Sequence, residues 1–177
     1  MALPKGLMLE VSVDCEAWLS ELPEYEDHCR VSLEQVVMNV PEGIALDKFS
    51  HIELSIVLCD DALIHKLNSD FRDKKKATNV LSFCGLEEEQ VEDYLRAGKD
   101  APEFPHSLGE IYIAYETMMD EAGKANISIK EHFLHLTTHG ILHLLGYDHI
   151  IDEEAVVMEA LEMKLLCNLG IDDPYRA

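Results

Sequence analysis

The sequence lacks any apolar run that approaches the roughly 18 to 20 residues needed to cross a bilayer. Its first residues, MALPKGLMLEVSVD, carry one lysine, a short apolar patch and then acidic residues, which is not the pattern of a secretory signal. We therefore expect a cytoplasmic protein with no membrane partner.

Paired cysteines are also lacking. The five cysteines lie far apart, are odd in number and form no C-x-x-C pair. A disulfide framework or a cysteine zinc site would need paired or closely spaced thiols. We interpret all of them as small core residues in a reducing compartment: Cys15, Cys29, Cys59, Cys84 and Cys167.

Positive charge is scarce, because 14 basic residues face 35 acidic ones and the net charge is −21. Such a field repels polyanions and counts against nucleic acid as a partner. Screening limits the objection, since the Debye length at physiological salt is about 8 Å and the charge at the site itself matters most. One clear basic run, Arg72 to Lys76, has four positive residues and one negative, a sum of +3. It is either a solvated loop or part of a functional surface.

The chain has 177 residues, of which 47% are apolar, and this suffices for one domain with a proper core. We expect a single domain over residues 1–177. Alternating or short apolar runs predict four strands, at 7–13, 51–59, 79–84 and 108–116. Helical patterns predict helices within 15–40, 60–71, 116–124, 128–146 and 152–170. The acidic residues 85–107 suggest a surface excursion.

The stretch HGILHLLGYDH, from His139 to His149, carries the strongest functional signal. Its three histidines and Gly146 are spaced as in the zinc-protease signature H-E-x-x-H-x-x-G-x-x-H. Residues four apart on a helix are about 6 Å apart at Cβ, so His139 and His143 can reach one ion. Gly146 lets the chain turn and bring His149 back. The histidine spacing therefore predicts a zincin-like metal-site helix. Strands and helices alternate at first and helices dominate the end, so we predict an α/β (α+β) fold, a small mixed four-stranded sheet packed with helices.

His135 offers a rival trio with His139 and His143. It is rejected because His135 and His143 are eight residues apart, about 12 Å along a helix axis. The six remaining histidines are interpreted as hydrogen-bonded core or surface residues. Three imidazoles leave a tetrahedral ion one open position, as in catalytic zinc sites. One Zn²⁺ is predicted, although imidazole also suits nickel, copper and iron. Asp148 is either an acceptor that orients a ligand imidazole or a polar turn residue.

Gly140 stands where the zinc proteases carry the glutamate that activates water. Zinc alone lowers the pKa of bound water from about 15.7 to near 7, but peptide hydrolysis also needs the glutamate to move protons. Phosphodiester cleavage instead needs stabilised charge on phosphoryl oxygens, for which a guanidinium is well shaped. In RNA the 2′-hydroxyl is a second possible nucleophile. Gly140 thus favours phosphodiester over peptide cleavage.

The histidine motif resembles that of the YbeY endoribonuclease family. LNSDFRDKKKATNVLSF (67–83) resembles the family's arginine-bearing loop and T-N-V-L-S-F strand, LGEIYIA its L-G-D-I strand, and LGIDDPY its C-terminal end. The likeness covers most of the chain from about His51 onward, while the first fifty residues match loosely. It implies a zinc-dependent, single-strand-specific RNase for ribosomal RNA maturation and ribosome quality control, with the ribosome or ribosomal proteins as partners.

Carried over by position, the resemblance assigns His139, His143 and His149 as zinc ligands and Arg72 as a catalytic residue that faces the metal cleft. Four more residues match family positions, but a helix cap or loop brace explains them equally well: Asn68, Phe71, Thr78 and Asn79. Glu110 departs from the family's aspartate, and residues 87–107 are longer than expected and suggest an acidic flap.

Two alternatives to the endoribonuclease remain open. One is a ribosome-assembly factor in which zinc is structural and catalysis is weak or absent, which the net charge of −21 favours because acidic surfaces suit basic ribosomal proteins. The other is a metal-dependent hydrolase of peptides, against which Gly140 argues.

Overall fold

The computed structural model describes residues 3–176. Its strands form one sheet, β1 (Leu7–Val13), β2 (Ile52–Cys59), β3 (Val80–Cys84) and β4 (His106–Ala114). The spatial order is β1-β2-β4-β3, in which β1, β2 and β4 are parallel and β3 runs antiparallel to β4 at one edge. The predicted small mixed sheet is confirmed.

Within residues 3–176, eight α-helices accompany the sheet: α1 (Ala17–Glu21), α2 (Tyr25–Asn39), α3 (Pro41–Ile44), α4 (Asp61–Arg72), α5 (Glu88–Gln90), α6 (Tyr115–Ala125), α7 (Ile129–Leu144) and α8 (Asp152–Asn168). A 3₁₀ turn (Ala45–Lys48) follows α3, and a π-helical segment (Val91–Arg96) follows α5. None of the helices in this range is long and apolar enough to cross a membrane.

The two faces of the sheet are covered unequally. Helix α7 packs against β3 and β4 on one face and is itself covered by α2 and α8. The apolar residues of β2 that point to this face are fully buried: Ile52, Leu54, Ile56 and Leu58. The other face is covered by α4, which buries Ile64 against Leu81 and Ala114. The predicted metal-site helix is thus one of the most deeply placed elements of the fold.

Helix starts follow the capping residues in two cases. The Asp60 carboxylate accepts the backbone N–H of Leu63 at 2.9 Å and begins α4. Ser128 and Glu131 form a capping box at the start of α7, with bonds of 3.1 and 2.8 Å. Helix α8 has no such cap, because Ile151 occupies the cap position without a side-chain bond and Asp152 is the first helical residue.

Strand β4 ends at Ala114, two residues earlier than predicted, because the chain turns directly into α6. The first turns of α4 and α6 cap each other. Glu116 accepts the backbone N–H of Asp61 at 2.8 Å, and Asp61 accepts the backbone N–H of Thr117 at 3.0 Å. Pairing with β2 extends the other end of β4 back to His106.

The acidic segment between β3 and β4 is not a free flap. Leu86, Val91 and Leu95 are buried in the main core. Arg96 forms an ion pair with Glu42 at 3.2 Å. The segment therefore packs onto the body of the protein through apolar residues that the acidic composition concealed.

Candidate metal centre and its cleft

The histidine motif folds as its spacing predicts. His139 and His143 lie one turn apart on α7, and Gly146 follows the helix with φ 92°, a left-handed conformation that favours glycine. A Cβ at Gly146 would lie 2.9 Å from Val91 Cγ1, so the turn also has no room for a side chain. His149 returns to the helix, and the candidate ligand atoms of the three histidines lie within 4.8 Å of one another.

This donor set fits one transition-metal ion. Nε2 of His139 and Nε2 of His143 are 3.0 Å apart, close to the roughly 3.3 Å expected for two tetrahedral nitrogens with zinc bonds of about 2.0–2.1 Å. The ring centre of His149 lies 5.4 Å from that of His139 and 5.1 Å from that of His143. The geometry supports a metal ion without deciding which metal is bound.

Two of the rings are oriented through their second nitrogen. Nδ1 of His139 lies 2.5 Å from Oε1 of Glu162, and Nδ1 of His143 lies 2.9 Å from the backbone oxygen of Tyr147. Because both partners are acceptors, each Nδ1 carries the proton and each Nε2 keeps its lone pair for a cation.

Glu162 is fully buried on α8, and its other carboxylate oxygen accepts hydrogen bonds from His135 at 2.8 Å and from the hydroxyl of Tyr175. Burial alone would raise the pKa of Glu162, but hydrogen bonds from His135 and His139 outweigh it and lower the pKa to about 2. Burial is the main cause that lowers the pKa of His143 to about 4, and the neighbouring His139 and His149 lower it further. At neutral pH Glu162 is thus ionised and His143 is neutral.

Sequence reasoning missed Glu162, although α8 contained a signal. Glu162 lies four residues after Met158 and three before Leu165, both buried apolar residues. A carboxylate on the apolar face of a helix needs a buried partner. Sequence reasoning gave His135 no functional role. In the structure His135 contacts one carboxylate oxygen of Glu162, and His139 contacts the other.

Asp148 takes the turn role. Its carboxylate accepts the backbone N–H of the adjacent His149 at 2.7 Å, which stabilises the loop after Gly146. The acceptor that orients an imidazole in this structure is Glu162.

The turn that carries His149 is anchored by distant segments. The hydroxyl of Tyr147 donates to the buried Glu42 at 2.6 Å, and Arg96 donates to Glu42 at 3.2 Å and to the carbonyl of Gly146 at 3.3 Å. Glu42 comes from α3 and Arg96 from the acidic segment. Both segments therefore help to fix where His149 stands.

Gly140 is buried on the side of α7 that faces the sheet. A Cβ there would lie 2.9 Å from Ile111 Cγ2 and 3.2 Å from Ser82 Oγ, and Ser82 donates to the Gly140 carbonyl at 3.4 Å. A glutamate at this position has no space to reach the histidines. The absence of the protease base thus has a packing cause.

Arg72 and the histidines line one cleft of about 480 Å³. Arg72 is exposed at the end of α4, and its Nη2 donates to the backbone oxygen of Ser82 on β3 at 3.1 Å. The same cleft is lined by Lys74 and Lys76 of the basic run. The structure thus places Arg72 in the same cleft as three histidines that lie 67 or more residues later in the sequence (72 versus 139).

The neighbouring polar residues serve as braces. Asn68 is buried and donates to the carbonyl of Lys76 at 2.9 Å, which holds the basic loop to α4. Asn79 donates to Glu121 at 3.0 Å and also lines the cleft, as does Thr78. Phe71 lies outside this set, exposed on the other side of α4's end.

A model of the family Endoribonuclease YbeY matches residues 19–170. The chain belongs to the YbeY endoribonuclease family. Its enzyme class is therefore that of an endoribonuclease, and the resemblance seen in the motifs is confirmed. The match begins well before His51, so the first fifty residues follow the family more than their motifs indicated.

Curated YbeY relatives match over nearly the full chain. Endoribonuclease YbeY of Paramagnetospirillum magneticum is 44% identical over 174 residues, which cover 94% of this chain and 96% of the relative. That of Bradyrhizobium diazoefficiens is 42% identical and covers 99% of this chain and 88% of the relative. The solution structure of TM1509 from Thermotoga maritima superposes with a TM-score of 0.52 at 20% identity, covering 96% of this chain and 100% of that one, and supports the fold alone.

Proposed function

We propose that this YbeY-family chain is a zinc-dependent endoribonuclease that cleaves single-stranded RNA, acting on ribosomal RNA in the cytoplasm during ribosome maturation and quality control. One observation supports this above all: three converging imidazoles and Arg72 line the same cleft. A cation site beside a guanidinium suits a phosphodiester, whose cleavage develops negative charge on phosphoryl oxygens.

His139, His143 and His149 would hold the ion. Zinc supplies a Lewis acid and lowers the pKa of a water molecule. The protein's part is to keep both Nε2 atoms on α7 directed at one point, which Glu162 and the Tyr147 carbonyl achieve by accepting hydrogen bonds from the Nδ1–H groups.

Arg72 would bind a non-bridging phosphoryl oxygen and stabilise the charge that develops there. Its bond to the Ser82 carbonyl uses one N–H of the guanidinium and leaves others free to donate to phosphate. Lys74 and Lys76 in the same cleft would contact flanking phosphates. The nucleophile is water or the substrate's own 2′-hydroxyl, since Gly140 leaves α7 without a carboxylate base at that position.

The net charge of −21 makes the basic loop the local exception on an acidic molecule. The negative net charge also favours a second role, in which acidic surfaces bind basic ribosomal proteins and bring the cleft to RNA. A pure assembly factor with structural zinc remains the competing function. Peptide hydrolysis is less well supported, because Gly140 has no room for the protease base.

Cleavage of a labelled single-stranded RNA by the zinc-loaded protein tests the proposal, with the same sequence as a duplex for comparison. We expect cleavage of the single strand, a loss of about 10²–10³-fold in kcat for Arg72→Ala, and near-complete loss for His139→Ala or after chelation. His65→Ala and Arg30→Ala, on exposed parts of α4 and α2, are the matched controls and should keep full activity.

Activity that survives both His139→Ala and chelation would reveal a contaminating nuclease and overturn the proposal. Ribosomal-protein binding and rRNA processing that persist in His139→Ala would instead favour the assembly factor.

A further inference from the structure

Three aromatic side chains form a continuous row on the sheet face that α4 covers. Phe71, at the end of α4, packs edge-on against Phe83 of β3 with ring centres 5.6 Å apart. Phe83 packs in the same way against Tyr112 of β4 at 5.9 Å. We call Phe71, Phe83 and Tyr112 the aromatic strip.

The outer end of the aromatic strip is open to solvent. Phe71 lies on the apolar side of α4, seven residues after the buried Ile64 and four after Leu67, but it is 70% exposed because β3 is the last strand of the sheet. Phe83 contacts it in an edge-to-face arrangement, and within residues 3–176 no other aromatic ring packs against Phe71. A phenylalanine held in this way has a fixed ring and a free surface.

The strip lies immediately across β3 from the cleft. Neighbouring residues of a strand point to opposite faces: Ser82 faces Gly140 and the metal side, whereas Phe83 faces the strip. One edge of β3 pairs with β4, and Arg72 donates to the Ser82 carbonyl of β3. Phe71 and Arg72 are adjacent in sequence, and they reach opposite sides of β3, Phe71 at Phe83 and Arg72 in the cleft.

We propose that Phe71 is a stacking site for one base of a single-stranded RNA whose backbone passes over Arg72. This inference rests on the proposed function and extends it to substrate recognition. The backbone would follow the basic run, which sums to +3 on a chain of −21, while the flanking base leaves the cleft over the edge of β3 and stacks on Phe71.

The surrounding charges favour a base rather than a phosphate on the strip. Glu110 pairs with Phe83 across β3 and β4 and is exposed, so a phosphate there would meet a carboxylate. A base carries no charge and presents a flat apolar face. Stacking on one ring tolerates any sequence but requires an unpaired base, which gives a physical reason for single-strand specificity.

Binding of a short 5′-labelled single-stranded RNA to the zinc-loaded full-length protein tests this, by fluorescence anisotropy with RNA length checked on a gel after each titration. Phe71→Ala should weaken binding roughly 5- to 150-fold, the range for loss of one base–aromatic stack. Phe71→Trp should retain wild-type affinity. Phe104→Ala removes another exposed phenylalanine, 56% exposed and stacked on His106 away from the cleft, and should change nothing.

The decisive comparison uses RNAs in which single nucleotides are made abasic in turn. At one position the abasic RNA should bind wild type as weakly as intact RNA binds Phe71→Ala, and the two losses should not add. Equal sensitivity of Phe71→Ala and wild type to every abasic position would overturn the stacking site. So would unchanged affinity of Phe71→Ala, or a loss of affinity that no abasic position reproduces, which would show that Phe71 affects binding without contacting a base.

The outcome is separable from that of the cleavage assay. RNA binding coupled to Phe71 without any cleavage would refute the endoribonuclease proposal and retain the stacking site. Cleavage by wild type without coupling to Phe71 would do the reverse.

Discussion

Nδ1 of His139 and Oε1 of Glu162 lie 2.5 Å apart across the interface between α7 and α8. The carboxylate is fully buried and ionised, and the imidazole it orients is one of the three that converge on a single point. The last helix of the chain therefore determines how a ring on the central helix faces the candidate metal position.

Replacement of Glu162 by glutamine should weaken zinc binding by about 10- to 100-fold, the usual effect of losing a partner that orients a metal-binding histidine. The amide keeps the shape but carries no charge and can present a donor to His139. Competition with a chromophoric chelator measures the affinity. Glu153→Gln, at the exposed start of the same helix, is the control. An unchanged zinc affinity in Glu162→Gln would show that the 2.5 Å contact does not orient the ligand.

Two glycine-to-alanine changes should act in opposite directions. Gly123 lies on an exposed part of α6 with nothing within 4 Å of a Cβ, so Gly123→Ala should raise the free energy of unfolding by about 0.5–1 kcal/mol. Gly140→Ala gains the same propensity but forces a methyl group to 2.9 Å from Ile111, an overpacking that costs about 1–3 kcal/mol. Urea denaturation should place Gly140→Ala below wild type. A gain equal to that of Gly123→Ala would show that α7 can move away from β4.

Zinc should stabilise the protein against heat, because an ion that binds the folded state shifts unfolding by mass action. At a free concentration one hundred times Kd the gain is about 2.7 kcal/mol. A melting curve with zinc and with chelator measures it. His149→Ala should lose most of the shift, since His149 supplies one of the three converging nitrogens. His65→Ala should keep the shift, and loss of it there would point to non-specific binding.

Tyr147→Phe should lower the free energy of unfolding by about 1–3 kcal/mol, because it removes the donor that lies 2.6 Å from the buried Glu42. It should also weaken zinc binding, since Tyr147 belongs to the turn between His143 and His149. Tyr25→Phe is the matched control: its hydroxyl donates to Glu26 at 3.3 Å on the exposed surface. If both variants unfold at the same urea concentration, the Glu42 contact does not hold the turn.

Much of the fold followed from local patterns. Alternation located β1 at its observed bounds and β2 to within one residue, because side chains of a strand alternate between core and solvent. A short apolar run located β3 to within one residue. The end of β4 was misjudged because the capping of α6 depends on Asp61, which accepts the backbone N–H of Thr117 from a position 56 residues earlier in the chain. The acidic segment was misjudged because three buried apolar residues among many carboxylates carry its packing.

The sequence by itself determined the histidine cluster. A four-residue step on a helix and a glycine turn act through nearby backbone geometry, which is enough to bring the three histidines to the same end of α7. Tertiary structure alone decided that Glu162 meets His139 and that Gly140 has no room for a side chain, whereas the place of Arg72 in the cleft was expected from the family resemblance and not from residue spacing. Each of these contacts depends on how elements that are far apart in the sequence pack against each other, and residue spacing does not predict that packing.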